Sequence, residues 1–113
     1  MTAISQRVQG LAVDAGLTQT EVARIVGTSV RTVARWAAGE VDPQPDARDR
    51  LLKLNYVAKQ LVDTLGLPPG DANVWLFEPN RLLGGDSPAD RLTADDFRSV
   101  LGLIEALADG IVV

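Results

Sequence analysis

Residues 18–40 read TQTEVARIVGTSVRTVARWAAGE, and the parsing of this stretch decides the fold. Thr18 with Glu21 three residues later is the reciprocal pair that satisfies the free amides at a helix start. A helix from about Gln19 to Val26 follows, and Gly27 stops it. Ser29 can then cap a second helix running to about Ala38, closed by Gly39. Ala23 is small where two steeply crossed helices bring their backbones together. Val22, Val26, Val33 and Trp36 fall on the faces that meet, so Trp36 reads as core. Two short helices joined by so tight a turn have the spacing of a helix-turn-helix. Ser29, Val30, Arg31, Thr32 and Arg35 are left facing outward on the second helix. Arginine can bond guanine edges or phosphate, hydroxyls suit either, and valine can touch a thymine methyl.

The flanks read as helices too. Ile4, Val8, Leu11 and Ala15 repeat at helical spacing and end at Gly16. After the proline-bearing connection VDPQPDARDR (41–50), a helix starting near Pro45 or Asp46 carries Leu51, Leu54, Ala58, Leu61 and Leu65 on one stripe. Gly66 and Pro68-Pro69 terminate it, and Asp71 is positioned to cap a short fifth helix bearing Val74, Trp75 and Phe77. Next comes WLFEPNRLLGGDSPADRL (75–92), a density of turn chemistry that predicts a rigid corner. Pro79 stops the helix, Asn80 turns the backbone, Gly84-Gly85 permits positive φ, and Leu82 or Leu83 can be pinned in a core. Ser87-Pro88 offers a cap and a first helical proline for one short turn through Leu92. Thr93 with Asp96 then resembles a capping arrangement for a last helix with Phe97, Val100, Leu101, Ile104, Leu107 and Ala108 on its apolar face, closed by Gly110. No stretch alternates convincingly as a strand. The expected class is all-α, with an N-terminal helix-turn-helix bundle over residues 1–66 and a small C-terminal helical unit over residues 67–113.

Composition narrows the chemistry. The 113 residues contain no cysteine and no histidine, which removes the usual zinc ligands, thiol nucleophiles and neutral-pH proton shuttle. Lys53 and Lys59 are the only lysines, both on a helix face that reads as solvated, and Asp95-Asp96 reads as a helix start rather than an acid-base pair. No catalytic residue, metal or cofactor is expected. No apolar run approaches the roughly 20 residues of a membrane span, and the N-terminus lacks a basic start and an apolar segment for export. The expected location is the cytoplasm. The net charge of −4 hides an asymmetry. Residues 1–60 carry 8 Lys/Arg against 6 Asp/Glu, whereas residues 61–113 carry 3 against 9. The two halves therefore suit different partners, and the first half suits nucleic acid better than the whole chain does.

Two resemblances attach to these motifs. The 18–40 stretch resembles the Xre-type repressor helix-turn-helix, in which the second motif helix reads DNA. That implies contacts from Ser29, Val30, Arg31, Thr32 and Arg35, with Gln19 at a position that commonly meets the DNA backbone. Further on, Trp75-Leu76, Pro79-Asn80, Leu83-Gly84-Gly85, Pro88 and Leu92, followed by an amphipathic helix, resemble the toxin-binding domain of the Xre/MbcA/ParS antitoxin family. Together the two cover nearly the whole chain.

The family resemblance implies an antitoxin that binds and occludes a RES-domain toxin consuming NAD, and that represses its own operon. The family's C-terminal region approaches the toxin's active-site entrance, which fits the last helix and the tail Ile111, Val112 and Val113. Trp75, Asn80 and Arg81 complete the toxin-facing set, Arg81 because turn residues flank it and a lone arginine is rarely buried. Trp75 and Phe77 also read as core packing and homodimer contact. Partners are then the toxin and operator DNA, with a homodimer inside a larger complex, since helix-turn-helix proteins usually read paired half-sites. The alternative is a stand-alone transcriptional regulator whose C-terminal half serves oligomerisation.

Overall fold

Ile4, Val8, Leu11 and Ala15 lie on one side of the first helix because their spacing tracks 3.6 residues per turn, and all four are buried. The computed structural model describes residues 3–110, and every regular element among them is helical. The helices are α1 (Ala3–Ala15), α2 (Gln19–Val26), α3 (Val30–Ala37), α4 (Pro45–Asp63), α5 (Pro69–Phe77), α6 (Pro88–Thr93) and α7 (Phe97–Ala108), with a 3-10 turn at Arg81–Leu83 between α5 and α6.

Boundaries follow from local chemistry. Thr18 and Glu21 form the expected capping box at α2, and Gly27 ends that helix at φ 84° in the left-handed region. Ser29 caps α3 by accepting the Thr32 N–H. Ser87 and Asp90 make a second capping box at α6, whose first residue is Pro88. Two expectations are corrected. Pro68, not Asp71, holds the N-cap position of α5, because Pro69 already has the backbone of a first helical residue and places Asp71 inside the first turn. Thr93 does not cap the last helix: it ends α6 with its hydroxyl donating to the Ala89 carbonyl, and Asp96 caps α7 by accepting the Ser99 N–H.

Most of the buried side chains form one hydrophobic cluster that runs from α1 to α7, with Leu83 and Leu103 buried outside it. α4 is its spine. Leu51, Leu54, Val57, Ala58 and Leu61 are essentially inaccessible along it, and α1, α5 and α7 pack against it. Trp36 and Val33 of α3 insert beneath α1 and α2, as their spacing anticipates. On the other side, Ala89 and Leu92 of α6 and Val100 and Ile104 of α7 close the cluster. The N- and C-terminal segments thus share a core, burying apolar area that neither could cover alone.

Candidate functional site

Two surfaces carry the residues that the sequence singles out. On the first, α3 stands at the protein surface with Val30, Arg31 and Arg35 exposed, and Gln19 is exposed at the first position of α2. Ser29 and Thr32 are tied to each other. Ser29 Oγ accepts the Thr32 amide at 3.1 Å, and the two hydroxyls share a hydrogen bond of 2.9 Å. That bond uses one of the two hydroxyl protons, so the cap still leaves one hydroxyl able to donate elsewhere. Arg35 approaches Glu40 at 3.9 Å, a loose pair in which both side chains are mostly exposed. Such a pair restrains the arginine only weakly. The face offers two arginines, a hydroxyl and an exposed valine, the chemistry of groove and phosphate contact.

The second surface is the corner between α5 and α6. Asn80 builds it: Oδ1 accepts the Leu82 N–H at 2.9 Å, its amide donates to the Asp86 carbonyl, and its carbonyl accepts from Leu83 and Gly85. Gly84 and Gly85 stand at φ 67° and 94°, where a side chain would be strained. Leu83 is buried while Leu82 is 53% exposed, which resolves the pair in favour of Leu83 as the anchor. Arg81 is exposed beside Leu82. Trp75 and Phe77 are half-buried and pack against the core, with part of each ring left at the surface. Ile111, Val112 and Val113 lie outside the described residues.

The corner has an organiser that the sequence reading missed. Arg91 of α6 donates from Nε to Asp86 at 2.9 Å, from Nη1 to Asp96 at 3.0 Å and Ser99 Oγ at 3.3 Å, and from Nη2 to the Leu83 carbonyl at 2.7 Å. One planar guanidinium thereby joins the turn, α6 and the start of α7. Asp86 and Asp96 raise its pKa further, so it stays charged. Asp96 is correspondingly lowered, first by the Ser99 hydroxyl, then by the Ser99 amide and Arg91. Asp90 is lowered mainly by the Ser87 amide and hydroxyl, with Arg24 adding a smaller attraction. Nothing in the spacing around position 91 marks it, because its partners are a backbone carbonyl eight residues back and an acid five ahead. A shallow groove beside the network is lined by Leu82, Leu83, Gly102, Leu103 and Ala106.

Polar contacts also join the two surfaces. Asn73 of α5 donates to the Gly16 carbonyl at 3.1 Å and to Glu21 at 3.2 Å, and Arg24 of α2 pairs with Asp90 of α6 at 3.4 Å. Lys53 of α4 reaches both Asp49 and Asp95, at 3.0 and 3.6 Å, and is therefore less free than a solvated face implies. No group of His, Cys, Asp or Glu side chains suited to a metal occurs among the described residues, and no helix there is long and apolar enough to cross a membrane.

Comparison with known proteins bears on both surfaces. Residues 11–54 match the helix-turn-helix family, and residues 60–110 match the antitoxin Xre/MbcA/ParS C-terminal toxin-binding domain. The mycobacterial cidal antitoxins MbcA of Mycobacterium tuberculosis and Mycobacterium bovis are each 46% identical to this chain over 110 residues, covering 97% of it and 96% of theirs. A probable mycobacterial cidal antitoxin of Mycobacterium tuberculosis is 36% identical over 95 residues, covering 84% of this chain and 79% of its own. Among solved structures, a chain in the crystal structure of the Mycobacterium tuberculosis MbcT-MbcA toxin-antitoxin complex superposes with a TM-score of 0.86 at 44% identity, covering all of both chains. With near-complete coverage at that identity, and with the corner built from the motif's own residues, the chain belongs to the Xre/MbcA/ParS antitoxin family.

Proposed function

We propose that this chain is the antitoxin of a toxin-antitoxin pair: it binds and occludes an NAD-degrading RES-domain toxin and represses its own operon through the helix-turn-helix. The observation that carries the reading is the full-length likeness to a chain solved within a toxin-antitoxin complex, together with the toxin-binding domain match over residues 60–110. The RES and NAD assignments rest on the family resemblance. In this reading residues 1–66 serve DNA, through Gln19, Ser29, Val30, Arg31, Thr32 and Arg35. Residues 67–113 serve the toxin, through Trp75, Asn80, Arg81 and the tail at 111–113. The chain acts in the cytoplasm as a homodimer within a larger assembly, and it inhibits by occlusion rather than by catalysis.

Charge supports the division of labour. The acidic second half repels DNA and complements a basic toxin pocket that receives a dinucleotide, whereas the first half carries six of the nine arginines. The test is co-expression with the toxin encoded beside this chain, followed by purification through a tag on the toxin. Recovery of a stable complex and survival of the host support the reading; toxicity unrelieved by the chain refutes it.

A further inference from the structure

Arg91 makes four hydrogen bonds from one guanidinium, and all four partners lie on the corner, on the α7 cap or on the first turn of α7. None belongs to α1–α4. The side chain is about a quarter exposed, so its role is not that of a core strut, and the hydrophobic cluster closes without it. The bond to the Leu83 carbonyl fixes the turn at its C-terminal residue, one position after the exposed Leu82 and two after the exposed Arg81. The bonds to Asp96 and Ser99 fix the same guanidinium to the start of α7, which forms the far wall of the groove beside Leu82.

We propose that Arg91 is a positioning residue for toxin capture: by locking the 79–87 corner onto α7, it holds Arg81 and Leu82 out in a preformed arrangement beside the groove. The inference rests on the toxin-binding role given above and assigns the corner its mechanical part in it. Without the lock, the corner keeps the Asn80 hydrogen bonds but loses its registry with α7, and toxin binding then carries the cost of ordering it. Lysine cannot substitute. Its single ammonium keeps the charge yet cannot span the Leu83 carbonyl, Asp86 and Asp96 in one plane.

The experiment compares full-length wild type, Arg91→Lys and Asp86→Asn for affinity to the purified toxin encoded beside this chain. It also measures amide hydrogen exchange and binding to the chain's own upstream DNA. Arg91→Lys should weaken toxin binding by about tenfold or more, the scale of losing one to two charge-assisted hydrogen bonds. Its faster exchange should be confined to residues 82–87 and the first turn of α7, with DNA affinity unchanged. Asp86→Asn, which removes the charge of one partner on an exposed loop while its amide oxygen can still accept from Arg91 Nε, should shift toxin affinity the same way by a smaller factor. Unchanged toxin affinity in both variants overturns the proposal while leaving the antitoxin reading in place. Equal loss of toxin and DNA binding in Arg91→Lys, with no effect of Asp86→Asn, also overturns it by showing a global effect. A wild-type chain that does not bind the toxin ends both readings.

Discussion

Asn73 on α5 donates to the Glu21 carboxylate on α2 at 3.2 Å, through the oxygen that also accepts the Thr18 amide at 2.9 Å. The capping box at the start of the helix-turn-helix is thus closed by a residue from the other half of the chain. The same Asn73 nitrogen reaches the Gly16 carbonyl, and Gly16 itself sits at φ 60°, where an added Cβ would lie 3.1 Å from the Pro69 carbonyl oxygen. The α1–α2 turn and the start of α5 are therefore mutually fitted.

Removing that fit should destabilise the whole chain. Asn73→Ala is expected to cost about 1–2 kcal/mol, the scale of a lost, partly buried hydrogen-bonding group. Gly16→Ala should cost about 1 kcal/mol or more, from left-handed backbone strain added to the close approach. Urea unfolding monitored by tryptophan fluorescence checks both. Because Trp36 lies in the helix-turn-helix and Trp75 in α5, one shared transition is expected in each variant.

On the proposed DNA face, Arg31→Ala should weaken binding to DNA from upstream of the chain's own gene and lower the salt slope by about one if the side chain meets phosphate. Glu40→Gln should strengthen binding a few-fold, because it frees Arg35 from its 3.9 Å partner and removes a negative charge near the groove. Ser29→Ala is expected to cost about 1 kcal/mol of stability through the lost cap. Fluorescence anisotropy over a salt series reads the first two, and thermal unfolding reads the third.

The lowered carboxylates give a pH signature. Asp96 and Asp90 have folded pKa values below their ordinary range, so protons bind more readily to the unfolded chain. Their contribution is fully present above the unfolded value and is lost as pH falls through the folded values. Stability should therefore be flat from neutral pH down to about pH 5 and decline below about pH 4, the ordinary aspartate range. Asp96→Asn should show a shallower acid decline than wild type in urea midpoints measured across pH 3–7.

Much of this architecture is legible in sequence because its signals are local. Thr18-Glu21, Ser87-Pro88, Gly27 and the apolar stripes of α1, α4 and α7 each act over one or two turns of chain. The corner's residues were legible for the same reason, down to Asn80 and the paired glycines. The caps expected at Asp71 and Thr93 fail because Pro69 already starts α5 with the geometry of a first helical residue, and because Asp96, not Thr93, accepts the Ser99 amide. Arg91 and Asn73 were invisible for a different reason. Their partners are set by how α5 packs on the α1–α2 turn and how α6 packs on α7, and no periodicity in the sequence encodes a contact between Asn73 and Glu21 across 52 positions.

The most direct test of the proposed antitoxin role is to purify the toxin proposed to be encoded beside this chain, follow NAD in its presence and titrate the chain in. NAD consumption should stop at a fixed ratio of chain to toxin, and a chain ending at residue 110 should inhibit less completely. Undiminished NAD consumption with the chain in excess would contradict that role, and would leave a helix-turn-helix protein whose C-terminal unit serves another end.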